Sequence, residues 1–155
     1  MVYAMKAIPT TYNGVNFRSR LEARWAAFFD LAKLKWTYEP IDFERWSPDF
    51  VLHLAVPVYV EVKPVQLRAL SVGLGSVMGL PNDAAFEKAC AHWSQVQVLL
   101  LGCEPNECSD ALSIGFLMDP PNPGMSWLEI RRPLQIGNAT ELWREAGNRV
   151  QWRKT

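Results

Sequence analysis

Two carboxylates and a lysine stand out by type and spacing. Asp49 follows Pro48, eleven residues separate it from Glu61, and Lys63 lies two positions further on. The second stretch, VYVEVKP at 58–64, alternates in an extended chain. Val58, Val60 and Val62 fall on one face, and Tyr59, Glu61 and Lys63 on the other. That polar face is either ordinary solvent surface or a site. If the segment carrying Asp49 pairs with the one carrying Glu61, the two carboxylates can converge on one hard divalent cation, Mg²⁺ or Mn²⁺. The Val62 backbone carbonyl is then a further oxygen ligand. Lys63 shares the face of Glu61 and can approach a water or an anion held there.

Such convergence needs a hairpin. In SPDFVLHLA (47–55), Phe50, Leu52 and Leu54 alternate with Val51, His53 and Ala55, and Val56-Pro57 is a tight connection to the VYVEVK strand. Upstream, RSRLEARWAAFFDLAKLK (18–35) places Leu21, Trp25, Phe28, Phe29 and Ala32 on one helical stripe. Ser19 followed by Glu22 forms a capping-box pattern, which starts the helix near Ser19. WTYEP (36–40) is a short extended piece, AAFEKACAHW a second helix, and VQVLLLG (96–102) a strand buried on both faces. Residues 67–83 are a loop rich in Gly and Ser, and DPPNPGM (119–125) is another. WLEI (127–130) is expected as a final strand and ATELWREAG (139–147) as a terminal helix. The order predicts an α/β sandwich around a mixed sheet.

With 155 residues, 49% hydrophobic and 21% charged, the composition is that of one ordinary globular domain. No apolar run approaches the ~18–20 residues of a membrane helix. The N-terminus lacks a signal-peptide stretch, so a cytoplasmic location and no membrane partner are expected. Three cysteines argue against a disulfide framework. Cys103 and Cys108 leave only Cys90, His92 and His53 as further zinc ligands, so no zinc is expected. The formal net charge of zero conceals blocks. Residues 1–35 hold six Lys/Arg against two acidic residues, residues 131–155 the same, and residues 36–130 four against twelve. Basic flanks around an acidic centre suit a polyanion held beside a cation site, and are equally what chance charge blocks produce.

The string Pro48-Asp49, eleven residues, Glu61-Val62-Lys63 resembles the PD-(D/E)XK nuclease signature, and Glu22 matches the glutamate which that superfamily carries on the preceding helix. The wider string NFRSRLEARWAAFF…WTYEP…SPDF…VYVEVKP is similar to small nuclease-like proteins of phages and prophages, over about residues 12–101. The resemblance implies a restriction-endonuclease-like core, a central mixed β-sheet flanked by helices, with residues 102–155 as an unassigned extension. It implies Mg²⁺- or Mn²⁺-dependent hydrolysis of DNA, with endonuclease favoured over exonuclease; a chain this small, without an obvious recognition domain, points to structure-directed rather than sequence-specific cleavage. Asp49, Glu61 and the Val62 carbonyl would hold the ion, Glu22 would add a ligand or support a second ion, and Lys63 would assist the attacking water. Phosphodiester hydrolysis needs such an activated water and a counter-charge for its transition state. Arg18, Arg20, Arg24 and Gln66 are candidates for DNA contact, and Lys88 is a weaker one. Cutting two strands would call for a homodimer, with 67–83 as its interface, and a phage-encoded chain would act in the host cytoplasm. The alternative is a nucleic-acid-binding or phage interaction module that keeps the fold without the chemistry. Trp143 and Trp152 are read either as base-stacking residues or, by preference, as packing for the terminal helix.

Overall fold

The computed structural model describes residues 7–67, 84–92, 95–105, 114–118 and 127–151. The chain opens with a hairpin of β1 (Thr10–Tyr12) and β2 (Val15–Phe17). Its turn is Asn13-Gly14, with φ of 48° and 77°. Two successive positive φ values match the right-handed twist of the flanking strands, and Asn-Gly tolerates them best. This dipeptide was the local signal for an element that the hydrophobic pattern alone does not reveal.

Helix α1 (Arg20–Leu31) begins where the capping pattern predicts. Ser19 is the N-cap, and its Oγ accepts from the Glu22 backbone N–H at 3.1 Å. The Glu22 side chain takes a different partner, described below. Ala23, Trp25, Ala26, Ala27, Phe28 and Phe29 are buried, so the helix is covered over more than a narrow stripe.

The main sheet has five strands in the order β3-β4-β5-β6-β7. These are β3 (Trp36–Tyr38), β4 (Phe50–His53), β5 (Pro57–Val62), β6 (Gln97–Leu101) and β7 (Phe116–Leu117). β3, β4 and β5 pair antiparallel, β5 and β6 parallel, and β6 and β7 antiparallel. The expected hairpin is present, with Phe50 opposite Val60 and His53 opposite Pro57. β6 is buried along its whole length. α2 (Ala84–Cys90) lies in the connection that makes β5–β6 parallel.

Each face of the sheet has its own core. On one face α1 and α4 (Ala139–Val150) pack against Val58, Val60, Val62, Leu99 and Leu101. On the other, Tyr59, Val98 and Leu100 meet Phe43, Trp46, Ala89 and Cys90. The alternation of β5 and β6 is thus spent on two apolar layers, each buried side chain contributing about 1.5–3 kcal/mol.

One element differs from expectation. WLEI is not a strand: Trp127–Arg131 form helix α3, continued by a 3₁₀ turn at Arg132–Leu134. Ile130 and Leu134 are both buried, and four residues apart is helical spacing. Four residues are too few for periodicity to separate strand from helix, and Pro133 is tolerated in the first turn of the 3₁₀ segment. Of the loop read at 67–83 only Leu67 is described, and it is buried; residues 68–83, the loop at 119–125, and Cys108, Trp93 and Trp152 lie outside the described residues. Among the described residues no helix is long and apolar enough to cross a membrane.

Candidate active site

Asp49 sits one residue before β4, its backbone already paired. Its N–H donates to Val60 O at 2.9 Å, and its carbonyl accepts from the Glu39 N–H at 2.8 Å. Glu61 is the penultimate residue of β5. Adjacent antiparallel strands therefore bring the two carboxylates together across twelve positions of sequence. Both are buried, Asp49 at 1% and Glu61 at 4% relative exposure.

Each carboxylate divides its oxygens in the same way. Asp49 Oδ2 accepts from the Val62 backbone N–H at 2.8 Å, while Oδ1 pairs with Arg18 Nη2 at 3.1 Å. Glu61 Oε2 accepts from the Trp46 indole N–H at 2.8 Å, while Oε1 pairs with Lys63 Nζ at 3.0 Å. One oxygen is fixed by a neutral protein donor and the other faces a cation.

Burial and the negative charges of Glu61 and Glu22 push the Asp49 carboxyl up to about 8, against the bond from Val62 and the charge of Lys63. Glu61 is raised by burial and held back by Lys63, Trp46 and Arg18. Two desolvated carboxylates in mutual repulsion favour either a proton or a cation between them. The donor set, hard oxygens only, fits a Mg²⁺-class ion.

Glu22 is buried on α1 and close enough to perturb Asp49 through its charge. Its Oε2 accepts from Tyr38 Oη at 2.6 Å, and Tyr38 Oη in turn accepts from the Arg18 backbone N–H at 3.2 Å. Among the described residues no three His, Cys, Asp or Glu side chains sit close enough to hold one ion together. The compact pair is therefore Asp49 and Glu61, with Glu22 at its margin.

The pair opens into a cleft of about 430 Å³ lined by Arg18, Arg45, Trp46, Asp49, Glu61, Lys63 and Lys88, together with Phe43 and Ser47. Four cationic side chains thus edge two buried carboxylates. Lys88, the weaker candidate, is on this wall, whereas Gln66 is exposed and not among the lining residues. Arg20 is exposed on the first turn of α1. Arg24 belongs elsewhere. Its Nε and Nη2 donate to the Trp143 carbonyl at 3.1 and 2.8 Å, and its guanidinium lies 4.1 Å from the Trp143 ring centroid. In the structure this arginine fastens α4 to α1. Trp143 itself is buried against Trp25 and Phe28, as packing requires.

Sequence reasoning missed Arg45 and Trp46. Both lie in the β3–β4 connection, where Phe43 and Trp46 exchange backbone hydrogen bonds of 2.8 and 3.2 Å. Arg45 has φ of 63°, the left-handed conformation of a tight turn. The available signal was a tryptophan three residues before Asp49, flanked by Arg45 and Ser47.

Comparison with protein-family models, with curated proteins and with solved structures returns no match. Function therefore rests on the geometry.

Proposed function

We propose that this protein is a metal-dependent nuclease of the PD-(D/E)XK type, with a restriction-endonuclease-like core, acting on DNA. One observation carries the reading: two buried carboxylates from neighbouring strands line one cleft, each with one oxygen paired to a cation, and the cleft is edged by Arg18, Arg45, Lys63 and Lys88. A mixed sheet with helices on both faces and the carboxylates on its central hairpin is compatible with such a core.

Asp49 Oδ1 and Glu61 Oε1 would hold the ion, Mg²⁺ or Mn²⁺, with the Val62 carbonyl as a third oxygen and Glu22 in support. When bound, such an ion neutralises phosphate charge and lowers the pKa of its water. The remaining work belongs to the chain. Lys63 Nζ, 3.0 Å from Glu61 Oε1, is placed to hold an attacking water or a phosphate oxygen beside that carboxylate. Arg18, mostly exposed and anchored by Glu39 Oε1 at 2.9 Å, overhangs Asp49 and can meet a phosphate arriving from solvent. Arg45 and Lys88 extend the positive rim along the backbone of a bound strand. The Tyr38 hydroxyl keeps the Glu22 carboxylate oriented.

The deciding experiment incubates the protein with labelled single-stranded, duplex, flapped and four-way-junction DNA in Mg²⁺, Mn²⁺ or EDTA. Metal-dependent cutting by the wild type, lost in Glu61→Ala and Lys63→Ala, is the expected result. Cutting retained in both variants removes the assignment.

A further inference from the structure

We propose that Trp46 determines which divalent ion the site accepts, by fixing Glu61 as a one-oxygen ligand and so favouring Mg²⁺-class ions over Ca²⁺. This rests on the ion-site reading above and adds a specificity residue to it.

The bond from Trp46 Nε1 to Glu61 Oε2 is short at 2.8 Å and buried, and Trp46 itself is 4% exposed. The indole has little freedom to leave it. Phe43 stacks on one side, with ring centroids 5.6 Å apart and planes within 19°. The His92 ring packs against Trp46 at 5.4 Å and against Phe43 at 5.5 Å. His92 Nε2 lies 2.9 Å from the Glu44 carbonyl oxygen, which ties the end of the α2 segment to the same turn. Phe43 also meets Tyr59 edge-on at 5.0 Å, on the strand that carries Glu61. Two rings thus hold the indole directly, and Tyr59 backs one of them.

A carboxylate with one oxygen committed to an N–H offers the other alone. Asp49 is committed in the same way, by the Val62 N–H. Mg²⁺ asks for near-octahedral geometry, takes one or two carboxylate oxygens and keeps its waters. Ca²⁺ gathers six to eight oxygens and often takes carboxylates bidentately. A site whose two carboxylates each commit one oxygen to a neutral N–H, leaving the oxygen that faces Arg18 or Lys63 as the one an ion can take, meets the first demand and fails the second. Val62 makes its bond through the backbone and cannot be edited by a side-chain change. Trp46 can.

The test is isothermal titration of the full chain with Mg²⁺ and with Ca²⁺, without DNA. It compares wild type, Trp46→Phe, and a protein in which 3-benzothienylalanine replaces Trp46, keeping the bicyclic shape but not the N–H. Far-UV circular dichroism verifies folding, and the isostere carries the test if the Phe variant does not fold. The expected result is a shift of the Ca²⁺-to-Mg²⁺ affinity ratio toward Ca²⁺ by about tenfold, the scale on which outer-shell partners act. A merely structural tryptophan predicts equal weakening of both ions in the Phe variant and no change in the isostere. An unchanged ratio in the isostere overturns the proposal and leaves the ion site standing. No binding of either ion by any of the three proteins overturns both.

Discussion

The two faces of strand β5 are built on opposite principles. Val58, Val60 and Val62 face α1 and α4, in a layer that includes Trp25, Phe28, Phe29, Phe50 and Trp143. The Trp25 indole N–H there donates to the Gly102 carbonyl at 2.9 Å. The opposite face also has an aromatic layer, Phe43, Trp46, Tyr59 and the His92 ring, but Glu61 is buried at its edge. There the indole N–H serves a carboxylate instead of a carbonyl. Burying charge costs free energy that packing does not return. The first face is spent on stability, and the second gives some of it up to hold two carboxylates in place.

Substitutions on each face test this contrast. The largest effect belongs to the site: Asp49→Asn or Glu61→Gln lowers DNA cleavage by on the order of 10³-fold or more. In EDTA above pH 8 the melting temperature of Asp49→Asn equals or exceeds that of wild type, because a desolvated charge repelled by Glu61 and Glu22 has been removed. A clear fall in that temperature would place Asp49 among the stabilising residues. The large core gives the converse. Trp25→Ala removes the largest fully buried side chain on α1 and costs about 3–5 kcal/mol in urea unfolding.

Arg24→Ala comes next. It removes two hydrogen bonds and the stacking on Trp143, for about 1–2 kcal/mol of stability. DNA affinity, measured by fluorescence anisotropy, stays as in wild type; a loss of affinity without a loss of stability would return Arg24 to the DNA surface.

The last effect is a pH slope. Asp49 is raised from its ordinary 3.8 to about 8 in the fold, so the native state holds a proton that the unfolded chain releases. Its contribution is complete below the unfolded value and disappears as pH rises through the folded one. In EDTA the melting temperature accordingly drifts downward between pH 4 and about 8, and this drift is reduced in Asp49→Asn. A wild-type profile that rises over that window contradicts the assignment.

Much of the scaffold was legible because its signals are local. Ser19 caps a backbone N–H three residues away, the β4–β5 hairpin follows from two alternating segments joined by Val56-Pro57, and β6 announces itself as an unbroken apolar run. The WLEI segment was misread for the same reason, since four residues carry no usable period and the burial of Ile130 with Leu134 is visible only in the fold. The short β7, two residues long, left no pattern at all.

By itself, the sequence determined the strand faces, the start of α1, and the placing of Asp49, Glu61 and Lys63 on neighbouring strands, because alternation and capping depend on residues a few positions apart. Only the tertiary structure decided what those groups touch. Arg18 meets Asp49 across 31 positions of sequence, Arg24 meets Trp143 across 119, and the Trp46 indole rather than solvent closes over Glu61. Such partnerships are set by how helices and connections pack on the sheet, and no periodicity encodes them.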